Sequence, residues 1–66
     1  MRIHLNGKEV SLPDGMTLRD LVRHYDLDGE PVAIERNGQV VDQQAFEAEV
    51  IQEGDVIEMV RFVGGG

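Results

Sequence analysis

The chain contains no cysteine and no tryptophan, and only two prolines, one tyrosine and two phenylalanines among its 66 residues. Without cysteine there is neither a disulfide framework nor a thiolate metal site, the staples on which small secreted domains commonly depend. A reducing, cytoplasmic setting is therefore expected. Basic residues are also scarce: six Lys plus Arg stand against 13 Asp plus Glu, a formal net charge of −7. Residues 42–58 hold six acids and no base. Phosphate neutralisation needs clustered cations, so nucleic acid is a poor partner and a basic protein surface a better one. Long apolar runs are missing as well. The longest, Val32-Ala33-Ile34, falls far short of the ~18 residues a spanning helix needs, so no membrane association is expected. The first residues alternate like a strand and carry no signal-like stretch. A domain of this length buries only roughly 60% of the surface its unfolded chain exposes, which leaves no room for a deep cleft, so a self-sufficient enzyme is not expected. Hydrophobic residues at 41% and charged residues at 29% match a folded domain rather than a disordered acidic segment.

Ile3 and Leu5 alternate with Arg2, His4 and Asn6, and Val10 and Leu12 with Glu9 and Ser11, which predicts two strands. Asn6-Gly7 between them suits a type I′ hairpin, because both residues tolerate positive φ. Pro13-Asp14-Gly15 ends the second strand. Thr17 with Asp20 three positions on forms a loose capping box, and Leu18, Leu21, Val22 and Tyr25 form one helical stripe. Arg23 and His24 suit the negative end of that helix. Val32 and Ile34 predict a third strand, Asn37-Gly38 a second hairpin, and Val40-Val41 the returning strand. Residues 42–53 show no period; Phe46 and either Val50 or Ile51 are expected to plug the core. After a turn at Glu53-Gly54-Asp55, the run Val56–Val63 is apolar at six of eight positions, as in a central strand with both faces at least partly covered. The order of elements predicts an α+β fold with one helix over one face of a mixed sheet. It is organised as a single domain over 1–63 with a flexible glycine tail over 64–66.

Catalytic chemistry finds little footing. His4 and His24 lack metal-ligand spacing. Asp26-Leu27-Asp28-Gly29-Glu30 has the acids of a calcium loop, but Pro31 and Asn37 occupy the positions where that loop needs Gly and Glu. Ser11, the single serine, has no nucleophile-elbow context. Glu47 and Glu49 read as solvated acids rather than a catalytic pair. No catalytic residue and no metal site is assigned.

What remains is the ending Gly64-Gly65-Gly66, which at ~7% glycine arises by chance on the order of 3 times in 10,000. Three residues without Cβ span roughly 10 Å when extended and pass down a channel that rejects side chains. They end in a carboxylate that is ionised at neutral pH and is a poor electrophile. It can attack the α-phosphate of ATP, and the mixed anhydride so formed can be opened by sulfur or nitrogen. On this reading the chain is a carried substrate with Gly66 as its reacting group.

Several segments together resemble a known family, the sulfur carrier proteins of thiamine biosynthesis (ThiS), which are ubiquitin-like β-grasp proteins. They are Asn6-Gly7, Thr17-Leu18-Arg19-Asp20-Leu21-Val22, Val32-Ala33-Ile34 with Asn37-Gly38 and Val40-Val41, Gly54-Asp55-Val56-Ile57-Glu58, and Val63-Gly64-Gly65-Gly66. The family often has Pro-Arg and a Trp after the fourth strand, where this chain has Asp42-Gln43 and Phe46. The resemblance implies that an E1-like enzyme adenylates Gly66 with ATP, that a cysteine-desulfurase-type persulfide converts it to a thiocarboxylate, and that thiazole synthase receives the sulfur. The chain itself would bind no cofactor; Gly64 and Gly65 would thread into the partners. A β-grasp also places the last strand centrally, parallel to the first. If Ile57 and Met59 then face the helix, Val60 and Phe62 form a docking patch on the opposite face, provided residues 42–53 do not cover them. The alternatives are the small subunit of molybdopterin synthase, a non-carrier binding module, and a protein modifier.

Overall fold

Both Asn-Gly pairs fold the chain back as their chemistry dictates. Asn6 and Gly7 take φ of 51° and 82°, Asn37 and Gly38 φ of 52° and 84°, the two positive angles of a type I′ turn. The first turn joins β1 (Arg2–Leu5) to β2 (Lys8–Ser11), and the second joins β3 (Val32–Arg36) to β4 (Gln39–Val41). The computed structural model describes residues 1–62. Between the hairpins lies α1 (Leu18–His24), and after them a 3₁₀ turn (Gln43–Ala45) and β5 (Val56–Arg61). The sheet order is β2-β1-β5-β3-β4. β5 occupies the centre, parallel to β1 and antiparallel to β3. This is the α+β, β-grasp arrangement, with one helix on one face of a mixed sheet.

The helix starts in a complete capping box. Thr17 Oγ1 accepts from Asp20 N at 3.1 Å, and Thr17 N donates to Asp20 Oδ2 at 3.0 Å. These bonds, with the backbone bond from Thr17 foremost and Arg23 nearby, hold the Asp20 carboxyl below its ordinary range. Two further N–H groups of the first turn, which a helix cannot satisfy internally, donate to the aperiodic segment: Leu18 to Glu49 O at 3.0 Å and Arg19 to Phe46 O at 3.1 Å. Residues 42–53 lack a sustained period because they fold as short turns, with Ala45 N bonded to Asp42 O, Phe46 N to Gln43 O and Ala48 N to Ala45 O, and dock on the helix start through the carbonyls of Phe46 and Glu49.

The helix stripe is one residue shorter than its periodicity suggests. Leu18, Leu21 and Val22 are buried, but Tyr25 caps the helix and is exposed. Asp26 adopts φ of 57°, and Asp26 N and Leu27 N bond back to Arg23 O and Val22 O. This is a Schellman ending, which swings Leu27 onto the core in place of Tyr25. The core comprises Ile3, Leu5, Leu12, Val32, Ile34, Ile57 and Met59 with the helix residues, closed by Phe46 and Ile51. Of the two candidates, Ile51 enters and Val50 stays outside.

Candidate functional site

The strand that leads to the C-terminus divides its side chains cleanly. Ile57 and Met59 face the helix and are buried, as are Ile3, Leu5, Val32 and Ile34 beside them. On the outer face Val56 is 49% exposed and Val60 57%, Phe62 just past the strand is 56% exposed, and Val40 on β4 is 77% exposed. The apolar run of β5 is therefore not covered on both sides. Residues 42–53, which could have covered Val60 and Phe62, pack instead around the helix start and the far end of the sheet. The reading of Val60 and Phe62 as exposed, outward residues agrees with the structure; the reading of β5 as covered on both faces does not.

β5 also outruns its parallel neighbour. Its register with β1 includes only His4↔Val56 and Leu5↔Ile57, with backbone bonds from His4 N to Asp55 O and Asn6 N to Ile57 O, both 2.9 Å. There β1 turns away at Asn6. The Asn6 side chain then continues the ladder: Oδ1 accepts from Met59 N at 2.8 Å and Nδ2 donates to Met59 O at 3.1 Å. A turn residue thus grips the exit strand through an amide that imitates a peptide group. On the other side β3 stays paired as far as Val32↔Arg61, and Phe62 N donates to Pro31 O at 2.9 Å. The last described residues are held at a fixed register before the glycine tail. Gly64, Gly65 and Gly66, assigned to threading and activation, lie outside the described residues, as does the boundary between the body and the tail.

The start of β5 is fixed by a polar hub that local sequence patterns do not reveal. Asp55, 6% exposed, receives Arg36 Nε at 2.9 Å, Gln52 N at 2.9 Å and Asn37 Nδ2 at 3.1 Å. Arg36 also binds Glu49 Oε1 and Val50 O, both at 2.9 Å, and Asn37 Oδ1 accepts from Val56 N at 2.9 Å. Burial pushes the Asp55 carboxyl up, but the Gln52 and Asn37 bonds and the Arg36 guanidinium outweigh it and hold the group below its ordinary range. The only hints in sequence are Arg36-Asn37 and Asp55 themselves, and 18 to 19 residues separate them.

Other features single out no chemistry. Glu49 is taken by Arg36, so Glu47 and Glu49 are not a free pair. Asp28 pairs with Arg19 at 3.2 Å and Arg23 at 3.5 Å, and Glu30 with Arg61 at 3.9 Å. A depression of about 310 Å³ between α1, Val32 and Phe46 includes that Arg19–Asp28 pair. Among the described residues no group of three or more His, Asp or Glu is placed to hold a metal ion, and no helix is long and apolar enough to cross a membrane.

A central strand gripped on both sides, opening onto an apolar outer face and running into a glycine ending, defines a β-grasp protein of the ubiquitin-like class. The ThiS family model matches residues 3–66, and the chain belongs to that family. It is 38% identical over 65 residues to the sulfur carrier protein ThiS of Bacillus subtilis, covering 97% of this chain and 98% of that protein. A thiazole synthase of Magnetococcus marinus is 46% identical over 66 residues, but the chain spans only 20% of its length. The crystal structure of a thiamine biosynthesis protein (ThiS) from Geobacter metallireducens superposes with a TM-score of 0.83 at 30% identity, covering all of both chains.

Proposed function

We propose that this chain is a sulfur carrier of thiamine (thiazole) biosynthesis that reacts at the carboxylate of Gly66. The observation that carries the reading is the match of nearly the whole chain to a sulfur carrier of the same length, joined to an exit strand held for presentation. The carboxylate oxygen attacks the α-phosphate of ATP on an E1-like partner, and pyrophosphate leaves. The terminal sulfur of a cysteine-desulfurase-type persulfide then opens the mixed anhydride, and AMP leaves. A thiol reductant cleaves the acyl disulfide and leaves the thiocarboxylate. Thiazole synthase takes the sulfur; a carrier-like segment within thiazole synthases favours this recipient over molybdopterin synthase. The partner supplies the ATP site and the chain acts as substrate, not enzyme, in the cytoplasm. Val60 and Phe62 form the apolar contact that docks the body while Gly64 and Gly65 enter the partner's channel.

The test is intact-mass measurement after incubating the chain with the activating enzyme, ATP, a persulfide donor and a thiol reductant. The expected result is a shift equal to one oxygen replaced by sulfur, localised to Gly66 and absent once Gly66 is deleted. An unchanged mass, with an activating enzyme active on another carrier of this family, overturns the reading.

A further inference from the structure

We infer that the outer sheet face fits a protein partner that seats a cationic side chain, arginine or lysine, between Glu35 and Glu58 within an otherwise apolar contact. The inference rests on the carrier reading above and adds the chemistry of the partner's surface. β3 and β5 run in a register that sets Glu35 directly opposite Glu58, where Cβ atoms stand about 4.5–5.5 Å apart and like charges repel. Both side chains are exposed. Among the described residues neither has an ion-pair partner. Neighbouring cations are engaged elsewhere: Arg36 holds Asp55 and Glu49, Arg61 pairs with Glu30, and Arg2 with Glu9.

The surroundings make the pair more than a solvated acidic patch. Val60 stands opposite Ala33 in the next outward row, Val40 is paired across from Glu35, and Val56 precedes Glu58 on the same face. A surface that docks on these valines strips water from both carboxylates. If it brings no cation, two uncompensated charges are buried, which offsets the apolar contact. If it brings a guanidinium, the planar fork can donate to a carboxylate on either side. The acid pair thus admits cationic apolar surfaces and rejects neutral ones. A second copy of the chain would present the same two carboxylates across a two-fold axis, so the face is not complementary to itself.

The experiment uses the full chain and its activating enzyme, with ATP-dependent pyrophosphate release followed at several salt concentrations, for wild type, Glu35→Gln, Glu58→Gln, the double variant and a control, Glu47→Gln. For the double variant KM for the chain should rise about tenfold and lose most of its salt dependence, while kcat and the Glu47→Gln control stay at wild-type values. The free double variant should melt higher than wild type, because the repulsion is gone. Binding and stability moving in opposite directions is what a merely structural role cannot produce. An unchanged KM in the double variant, with wild type active, overturns the inference and leaves the carrier reading intact. A raised KM with a lowered melting temperature also overturns it. So does a magnesium-induced rise in melting temperature that the double variant lacks, which would assign the pair to a divalent ion. If wild type releases no pyrophosphate with an enzyme active on another carrier, the carrier reading falls and this inference with it.

Discussion

The two faces of β5 are built from the same kinds of residue and do opposite things. Ile57 and Met59 are sealed under the helix, whereas Val56 and Val60, one position away, are about half exposed. The difference lies in what stands opposite. The helix, Phe46 and Ile51 cover one face, and the described residues leave the other open. A 66-residue chain can afford one core only, so apolar residues on the second face are surplus to folding and available to a partner. The comparison makes a sharp claim: inner-face substitutions should act on stability, and outer-face substitutions on docking.

The largest effect should come from the inner face. Ile57→Ala leaves a cavity at a residue with no exposure, and should cost about 4 kcal/mol in urea unfolding, enough to unfold much of a domain this small. Any loss of activation should then track the unfolded fraction. A stably folded Ile57→Ala variant that was inactive would break the separation of the faces.

Next is the hub at the start of β5. Asp55→Ala leaves Arg36 with only Glu49 and the Val50 carbonyl and removes the acceptor of Gln52 N and Asn37 Nδ2, and should cost about 3 kcal/mol. The Asp55 carboxyl is held below its ordinary value of 3.8 in the folded chain. Its contribution is therefore complete above that value and is lost as pH falls through the folded pKa. Acid titration of wild type should show stability falling below about pH 4, and Asp55→Asn should flatten that fall. An identical acid profile in Asp55→Asn would remove Asp55 from this role.

These two regions also differ in how far sequence reveals them. The inner face was legible: Ile3, Leu5, Leu18, Leu21, Val22, Val32 and Ile34 announce themselves by period, and the Asn-Gly pairs announce their turns. Tyr25 misled because the stripe extends one residue past the helix end at His24, just before Asp26 turns left-handed. Phe46 and Ile51 were legible as apolar residues but not as a form, because the segment folds as short turns docked on the helix start, which leave no repeating pattern. The Asp55 hub was hidden because its partners are distant in sequence. The outer face was half legible. Composition records that β5 is apolar, but not whether its own chain or another covers it. Residue by residue, Val60 and Phe62 emerged only from assuming a register, and Glu35 opposite Glu58 only from observing it.

A smaller effect should sharpen the account of how the exit strand is held. Asn6→Gly keeps a residue suited to φ of 51° but removes both side-chain bonds to Met59, and should cost about 1 kcal/mol. Amide exchange at Met59 should quicken more than exchange across the β1·β2 hairpin. Asn6→Asp keeps an acceptor for Met59 N but turns a carboxylate oxygen towards Met59 O, so it should not restore protection. Equal loss of protection across the whole sheet would show that Asn6 serves the turn alone.

The smallest effect on stability should accompany the clearest effect on docking. Val60→Ser and Phe62→Ser remove apolar surface that is already more than half exposed, so each should change unfolding free energy by no more than about 0.5 kcal/mol. Their circular dichroism and melting should match wild type. If the outer face docks the activating enzyme, KM for the chain should nevertheless rise, more for Phe62, whose ring offers the larger contact area. The two substitutions should combine non-additively if both side chains enter one partner pocket. Wild-type KM in the double variant would mean that the tail alone is recognised and the open face of the sheet is unused in that step.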